Sequence, residues 1–370
     1  MKKKILFLFP LPPPLHGVSM INTSIFKSKK IKNEFSTLFI NSSTTKNFKD
    51  IEKFKFAKLK IIFQICLNLI YQLKKFKPNL VYLNLSPHGL GFFKDCLLVI
   101  IIKVFKVKVV NHVHGKGINN EVKNNFLLKS FYRFIFNNMD LICLSKILKK
   151  DIKKVIDNST MTQIVNNFAS KIKKFRLKSK NRKTNFIFLS NLVPAKGIII
   201  FLDAIKILQK KYNRFDFNAK IIGGYSDNQS QKLILKKKLN LENTFFLGAK
   251  FNKEKSIELS SSDIIVFPTR HKNEAFPVVL LEAMSAKLAI ITSDEGGIPD
   301  ILTNGVEGVI LKNCSANDCA LAMLKYLNNK KLIKKHANAG YKKFLQKFTF
   351  QEFEMNMIKS LKRIITNNDL

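Results

Sequence analysis

The chain alternates short, unbroken apolar runs with longer stretches of helical periodicity, and it does so in two successive series. This pattern limits the fold more than any other feature. In the first series the strand candidates are KILFLF (4–9), STLFIN (36–41), NLVYLNL (79–85), VKVVNHV (107–113), DLICLS (140–145) and TQIVNN (162–167). In the second they are NFIFLS (185–190), NAKIIGG (218–224), TFFLGA (244–249), DIIVFP (263–268) and AIITS (289–293). Continuous apolar strands separated by helical stretches indicate parallel sheets covered by helices on both faces. Between the series lies SKIKKFRLKSKNRKT (170–184), basic and poor in apolar residues, which reads as a linker. The expected architecture is α/β, with two doubly wound Rossmann-like domains facing each other across a cleft. An N-terminal domain over 1–169 and a C-terminal domain over 185–345 flank the linker, and 346–370 reads as a C-terminal helix that can pack back on the first domain. In such sheets ligands bind outside the carboxyl ends of the strands.

Bulk properties narrow the class. At 370 residues two domains are the expectation, and 46% hydrophobic residues exclude a disordered chain. No apolar run approaches the ~18–20 residues of a membrane-spanning helix. The start MKKKILFLFPLPPPLHG reads as a first strand rather than a signal peptide, because its apolar run stops at Pro10. Five cysteines without metal-ligand spacing suit reduced thiols in a cytoplasmic protein. The net charge is +40, and residues 1–180 hold 35 Lys+Arg against 8 Asp+Glu while residues 181–370 hold 30 against 17. Such a surface attracts polyanions, whether nucleic acid, anionic lipid or phosphorylated small molecules; a lysine-rich genome bias is the plainer source of the excess. The basic residues are scattered and no RNA- or DNA-binding pattern appears, so a nucleic-acid partner is not expected.

Several polar residues fall on the loops that follow strands. Gly17 and Ser19 come after the first strand, where a glycine lets amides approach a phosphate or sugar; a simple turn is the alternative. NHVHGKG places His112 and His114 on one side of the fourth strand, His114 at its end in reach of the cleft. A zinc site lacks a third ligand there. His114 is read as bonding a substrate hydroxyl, whereas His112 can be a core residue. In SNLVPAKG, Lys196 stands at a helix start, suited to a diphosphate, without the spacing of a P-loop. Gly223 and Gly224 end another strand on the cleft side.

NEAFPVVLLEA (273–283) sets Glu274 and Glu282 eight positions apart around an apolar run. On one helix they would lie about 80° apart, so the natural reading is a loop, then a helix beginning at Pro277. The amides of Val278, Val279 and Leu280 then open the helix and can hold a phosphate. Glu274 would meet the sugar of a nucleotide-sugar donor, and Glu282, about 7.5 Å along the axis from Pro277, its ribose.

At this point the sequence resembles the retaining glycosyltransferases of the GT-B fold known as glycosyl transferases group 1. The resemblance is densest over 263–311, which carries E-x7-E as Glu274 and Glu282, the following EAM, and a GGIPDIL tail with Gly296, Gly297, Gly305 and Gly308. Weaker matches lie at 190–197, at NHVHG (111–115) and near Gly17. The resemblance implies donor contacts from Asn191, Lys196, Gly223, Glu274, Ala275, Phe276, Pro277, Val278, Val279 and Glu282. It puts His114 and Gly17 on the acceptor side, and His114, Glu274 and Lys196 in the catalytic group. Departures are Asn191 where the family has arginine, EAFP in place of E-x-F-G, Lys287 in place of a small residue, and His16-Gly17 where two glycines are common.

The implied reaction transfers a sugar from a nucleotide-diphosphate sugar to a hydroxyl of a sugar or lipid-linked acceptor, with retention, in surface polysaccharide or glycolipid synthesis. The transition state is oxocarbenium-like, with charge growing on the departing diphosphate, and no divalent metal is expected. A sugar-nucleotide epimerase of the same fold is the alternative. EKFKFAKLKIIF (52–63) and KNNFLLKSFYRFIF (123–136) interleave bases with aromatic residues, so an anionic membrane surface is a candidate partner, with the protein cytoplasmic and peripheral on the inner face.

Overall fold

A computed structural model of the chain describes residues 1–13, 17–44, 56–173 and 183–366, with the side chains of 56 and 57 left aside. Residues 14–16, 45–55 and 174–182 therefore lie outside the described residues, and with them His16, most of the basic linker and the first third of EKFKFAKLKIIF. The chain divides into two compact units, Met1–Asn167 with Gln351–Leu370, and Phe168–Phe350.

The first unit holds β1 (Lys4–Phe9), β2 (Ser36–Asn41), β3 (Leu80–Leu83), β4 (Lys108–Val113), β5 (Met139–Cys143) and β6 (Thr162–Ile164), in the order β2-β1-β3-β4-β5-β6. The second holds β7 (Thr184–Leu189), β8 (Phe217–Ile222), β9 (Thr244–Phe246), β10 (Ile264–Phe267), β11 (Ala289–Thr292) and β12 (Gly308–Ile310), in the order β12-β11-β10-β7-β8-β9. Every pairing between neighbouring strands is parallel. The central strands are buried on both faces, as their uninterrupted apolar runs require: β3, β7, β10 and β11 have no exposed residue. Two parallel-sheet α/β domains is thus the fold class. β12 was not anticipated, because GVI is too short and too weakly apolar to stand out.

From Gln351 onward the helix Phe350–Thr366 belongs to the first unit. It buries Phe353, Met357, Leu361 and Ile364, a stripe at helical spacing. Its buried Glu354 accepts a hydrogen bond from Ser28 Oγ at 2.6 Å, while the same oxygen caps the helix Lys29–Glu34 by accepting from Ile31 N. Lys30 completes the arrangement at 3.3 Å from Glu354.

His112, expected on the same side as His114, is fully buried in β4 and hydrogen-bonded to the Tyr82 hydroxyl at 2.5 Å. Its place is the core. Burial, with His114 beside it, holds its pKa well below the usual value. Below about pH 6.5 the unfolded chain therefore takes up a proton that the folded chain refuses, so stability present above that pH is lost as the pH falls. The melting midpoint of the first unit, read by calorimetry, is expected to drop between about pH 7 and 5, and His112→Asn to flatten part of that drop.

Two glycines hold the loops of the second unit together. Gly197 has φ +93°, and a Cβ there would stand 2.1 Å from the Pro268 carbonyl oxygen; Gly296 has φ +60°, and a Cβ would stand 2.0 Å from that of Glu274. Gly305 also has positive φ but open space around it. Gly305→Ala is expected to cost about 1–2 kcal/mol for the left-handed backbone alone. Gly197→Ala and Gly296→Ala should cost clearly more, measured as the shift in unfolding midpoint.

Candidate functional site

The second sheet reverses its strand order between β7 and β10, which are hydrogen-bonded neighbours. The loops leaving the carboxyl ends of such a pair are where open α/β sheets bind ligands. After β7 the chain forms a short 3₁₀ turn, Pro194–Lys196, closed by Gly197. After β10, residues 268–277 lead into the helix Val278–Ser285. Arg270 N–H donates to the Ala195 carbonyl at 2.8 Å, joining the two loops through their backbones. Lys196 Nζ and Glu274 Oε2 form an ion pair, joining them through their side chains.

Glu274 is 7% exposed, and a carboxylate so far removed from water needs a cation or several donors. Lys196 supplies the cation and lies 5.9 Å from the centre of the Phe267 ring. The loop around Glu274 is fixed on several sides. Ser293 Oγ donates to the Thr269 carbonyl at 2.6 Å, Gly297 N to that of Ala275 at 2.7 Å, and Glu274 N to that of His271 at 2.8 Å. An ammonium so positioned keeps two further N–H donors for an anion, and the carboxylate keeps a second oxygen for hydroxyl donors.

Pro277 is the N-cap, in an extended conformation, so the helix starts at Val278, one residue later than the sequence predicts. Leu280 N–H donates back to the Pro277 carbonyl at 3.2 Å, which takes it out of the expected phosphate cradle. Val278 and Val279 remain as the amides at the helix mouth. Ala275 and Phe276 are buried, and the Phe276 ring meets Phe348 with centroids 6.1 Å apart. These two residues offer a ligand backbone rather than side chains. Glu282, on the helix, pairs with Lys255 Nζ at 2.5 Å from the helix Asn252–Ser260. Gly223 follows β8 and is committed by its N–H to the Gly248 carbonyl at 2.9 Å, while Asn191 is exposed.

Two residues were missed in the sequence. Lys255 is separated from Glu282 by 27 positions. His271 lies three residues before Glu274, and its buried Nδ1 has no hydrogen-bond partner among the described residues. Burial and the nearby Lys196 lower its pKa against the opposing pull of Glu274 and Glu295, so the ring is neutral near pH 7. His271 lies within the polar run TRHKNE (269–274), so nothing in the sequence set it apart from its neighbours. In the first unit His114 follows β4, its ring centroid 4.0 Å from that of His112, and Gly17 opens the helix Gly17–Lys27. No group of three His, Cys, Asp or Glu side chains placed to hold a metal occurs among the described residues.

Residues 169–343 match the family model for glycosyl transferases group 1. An uncharacterised glycosyltransferase of Methanocaldococcus jannaschii is 26% identical over 275 residues, 73% of this chain and 72% of its own. The amylovoran biosynthesis glycosyltransferase AmsK of Erwinia amylovora is 25% identical over 60% of this chain and 56% of its own. A Campylobacter jejuni enzyme, N,N'-diacetylbacillosaminyl-diphospho-undecaprenol alpha-1,3-N-acetylgalactosaminyltransferase, is 28% identical over 41% of this chain and 38% of its own. Among solved structures, sucrose-phosphate synthase from Thermosynechococcus elongatus superposes with a TM-score of 0.73 at 13% identity, covering 99% of this chain and 100% of that one. Anabaena HepE in complex with UDP-glucose gives 0.72 at 15% identity, covering 97% and 99%. The family match over the second unit, the relatives and the fold shared along nearly the whole chain support a glycosyltransferase of group 1.

Proposed function

We propose that the chain transfers a sugar, with retention at the anomeric carbon, from a nucleoside-diphosphate sugar to a hydroxyl of a saccharide or lipid-linked acceptor. The observation that carries the donor half is the Lys196–Glu274 ion pair, formed where the strand order of the second sheet reverses and beside the mouth of the helix Val278–Ser285. Support for the donor class comes from the HepE complex with UDP-glucose, and for a lipid-linked acceptor from the Campylobacter enzyme.

In this reading Lys196 and the amides of Val278 and Val279 face the diphosphate, where negative charge grows as the bond to the anomeric carbon breaks. Glu274 accepts from hydroxyls of the transferred sugar, and Glu282 from those of the ribose once Lys255 shares it. The acceptor oxygen bonds to the anomeric carbon on the face the diphosphate leaves, and its proton passes to the departing phosphate oxygen. His114 contributes on the acceptor side. Lys196 serves as the counter-charge to the diphosphate, so the reaction proceeds without a divalent cation.

Calorimetric titration with UDP-, GDP- and ADP-sugars and with the bare nucleoside diphosphates tests the reading. Glu274→Gln is expected to weaken the sugar-bearing donor by about ten- to a hundredfold while leaving the bare diphosphate nearly unchanged, because a hydrogen bond to a charged group contributes ~1.5–3 kcal/mol. Lys196→Ala should weaken both ligands alike. Equal losses for both ligands in Glu274→Gln would remove Glu274 from the sugar.

Metal and stereochemistry are checked on the transfer itself. Activity should survive EDTA, and proton NMR of the product should show the anomeric configuration of the donor. An absolute need for Mn²⁺ or Mg²⁺, or an inverted product, would overturn the mechanism.

A further inference from the structure

Three helices of the first unit cover one face of its sheet: Phe56–Phe76, Gly89–Val104 and Phe126–Phe136. They lie in the successive crossovers β2–β3, β3–β4 and β4–β5, which all run in the same direction along the strand order. Right-handed crossovers put such helices side by side on one face. Their inner residues share a single core: Ile65, Leu69, Phe92, Val99, Tyr132 and Ile135 pack with Val81, Val109 and Leu141 of the strands.

A helix with one face on a sheet is expected to turn polar residues outward. The helix Gly89–Val104 does the opposite. Its outward positions Leu90, Phe93, Leu97 and Val104 recur at helical spacing and are all apolar and exposed. Its only acid, Asp95, is buried and accepts from Ser86 N at 2.8 Å, and Lys94 pairs with Asp95 at 2.9 Å. The apolar stripe continues on both sides. Leu59, Phe63, Leu67 and Tyr71 form a four-residue repeat along the exposed side of Phe56–Phe76. On the other side, Phe131 stacks on Phe93 with centroids 6.0 Å apart, and beyond it Phe126 and Leu127 are each 79% exposed. Contiguous exposed apolar side chains on neighbouring helices mark a surface that is covered in use.

The charge on the same layer selects the cover. The three helices carry four, two and two Lys or Arg respectively, against Asp95 as their one acid. Lys60, Lys74, Lys75 and Arg133 are exposed, so the outer surface presents cations and no exposed acid. Lysine is depleted from the centres of protein–protein interfaces, whereas aromatic and aliphatic side chains interspersed with lysine suit the headgroup region of an anionic bilayer. No helix among the described residues is long and apolar enough to cross a membrane, so the layer would lie on the surface.

We propose that the outer surface of this three-helix layer is a docking face for an anionic lipid bilayer. It is independent of the donor reading, since attachment is measured without turnover. The test is co-sedimentation of the full chain with vesicles of phosphatidylcholine alone or mixed with phosphatidylglycerol. Binding is expected to the mixed vesicles and not to the neutral ones. It should fall as salt shortens the Debye length from about 10 Å at 0.1 M towards about 3 Å at 1 M. Phe126→Gln with Leu127→Gln should lower the partition coefficient tenfold or more, and Lys60→Gln and Lys74→Gln roughly fivefold each. Nucleotide-sugar titration and circular dichroism should be unchanged in all of these. Equal recovery in the supernatant with and without phosphatidylglycerol would overturn the proposal. So would a concentration-dependent dimer that the Phe126 and Leu127 changes dissociate without altering lipid binding, because the face would then belong to a second copy of the chain.

Discussion

A carboxylate with almost no access to water needs a cation or several donors brought to it, and the second unit meets that demand at Glu274 with a cation. Lys196 reaches it from a different loop, 78 positions earlier in the chain. The two loops must therefore approach to backbone contact, which Gly197 permits by leaving room for the Pro268 carbonyl, while Gly296, in the loop after β11, leaves room for that of Glu274. The parallel pairing of β7 with β10 sets the loops side by side, and the Arg270–Ala195 hydrogen bond locks them. Charge, glycine placement and strand order are thus one constraint seen at three scales. The same pair keeps donors on Lys196 and an oxygen on Glu274 that the pairing itself does not use.

Much of this was legible in the chain. Buried parallel strands announce themselves as unbroken apolar runs, and KILFLF and STLFIN matched their strands residue for residue. The loop-then-helix reading of NEAFPVVLLEA held to within one residue, since a proline cannot continue a helix but can open one. What escaped was whatever depends on partners distant in sequence. Both glutamates proved to be paired, Glu274 with Lys196 and Glu282 with Lys255, and neither pairing has a local signature. Alternation set His112 on the side of His114 and left open whether it was interior, and only the neighbouring strand, with Tyr82, decides that it is.

The Gly89–Val104 helix shows a subtler limit. A helix this rich in apolar residues reads in sequence as one surrounded by protein, and periodicity cannot say that one of its sides lacks neighbours. The interleaving of bases and aromatics along 52–63 and 123–136 gave the flanks of the basic layer, but the helix between them, with its apolar outward side, became visible only when the strand order placed all three together.

The return of Phe350–Thr366 to the first unit has a consequence for how the molecule is made. Its second unit is an uninterrupted segment, Phe168–Phe350, inserted into a first unit whose sequence is split around it. Domains emerge and fold in order during synthesis. Here the ribosome must complete the entire second unit before it delivers Glu354 to Ser28 and the apolar stripe of the last helix to its place. The first unit, begun before the second, is finished after it, and until then the core surface that its last helix covers stays open.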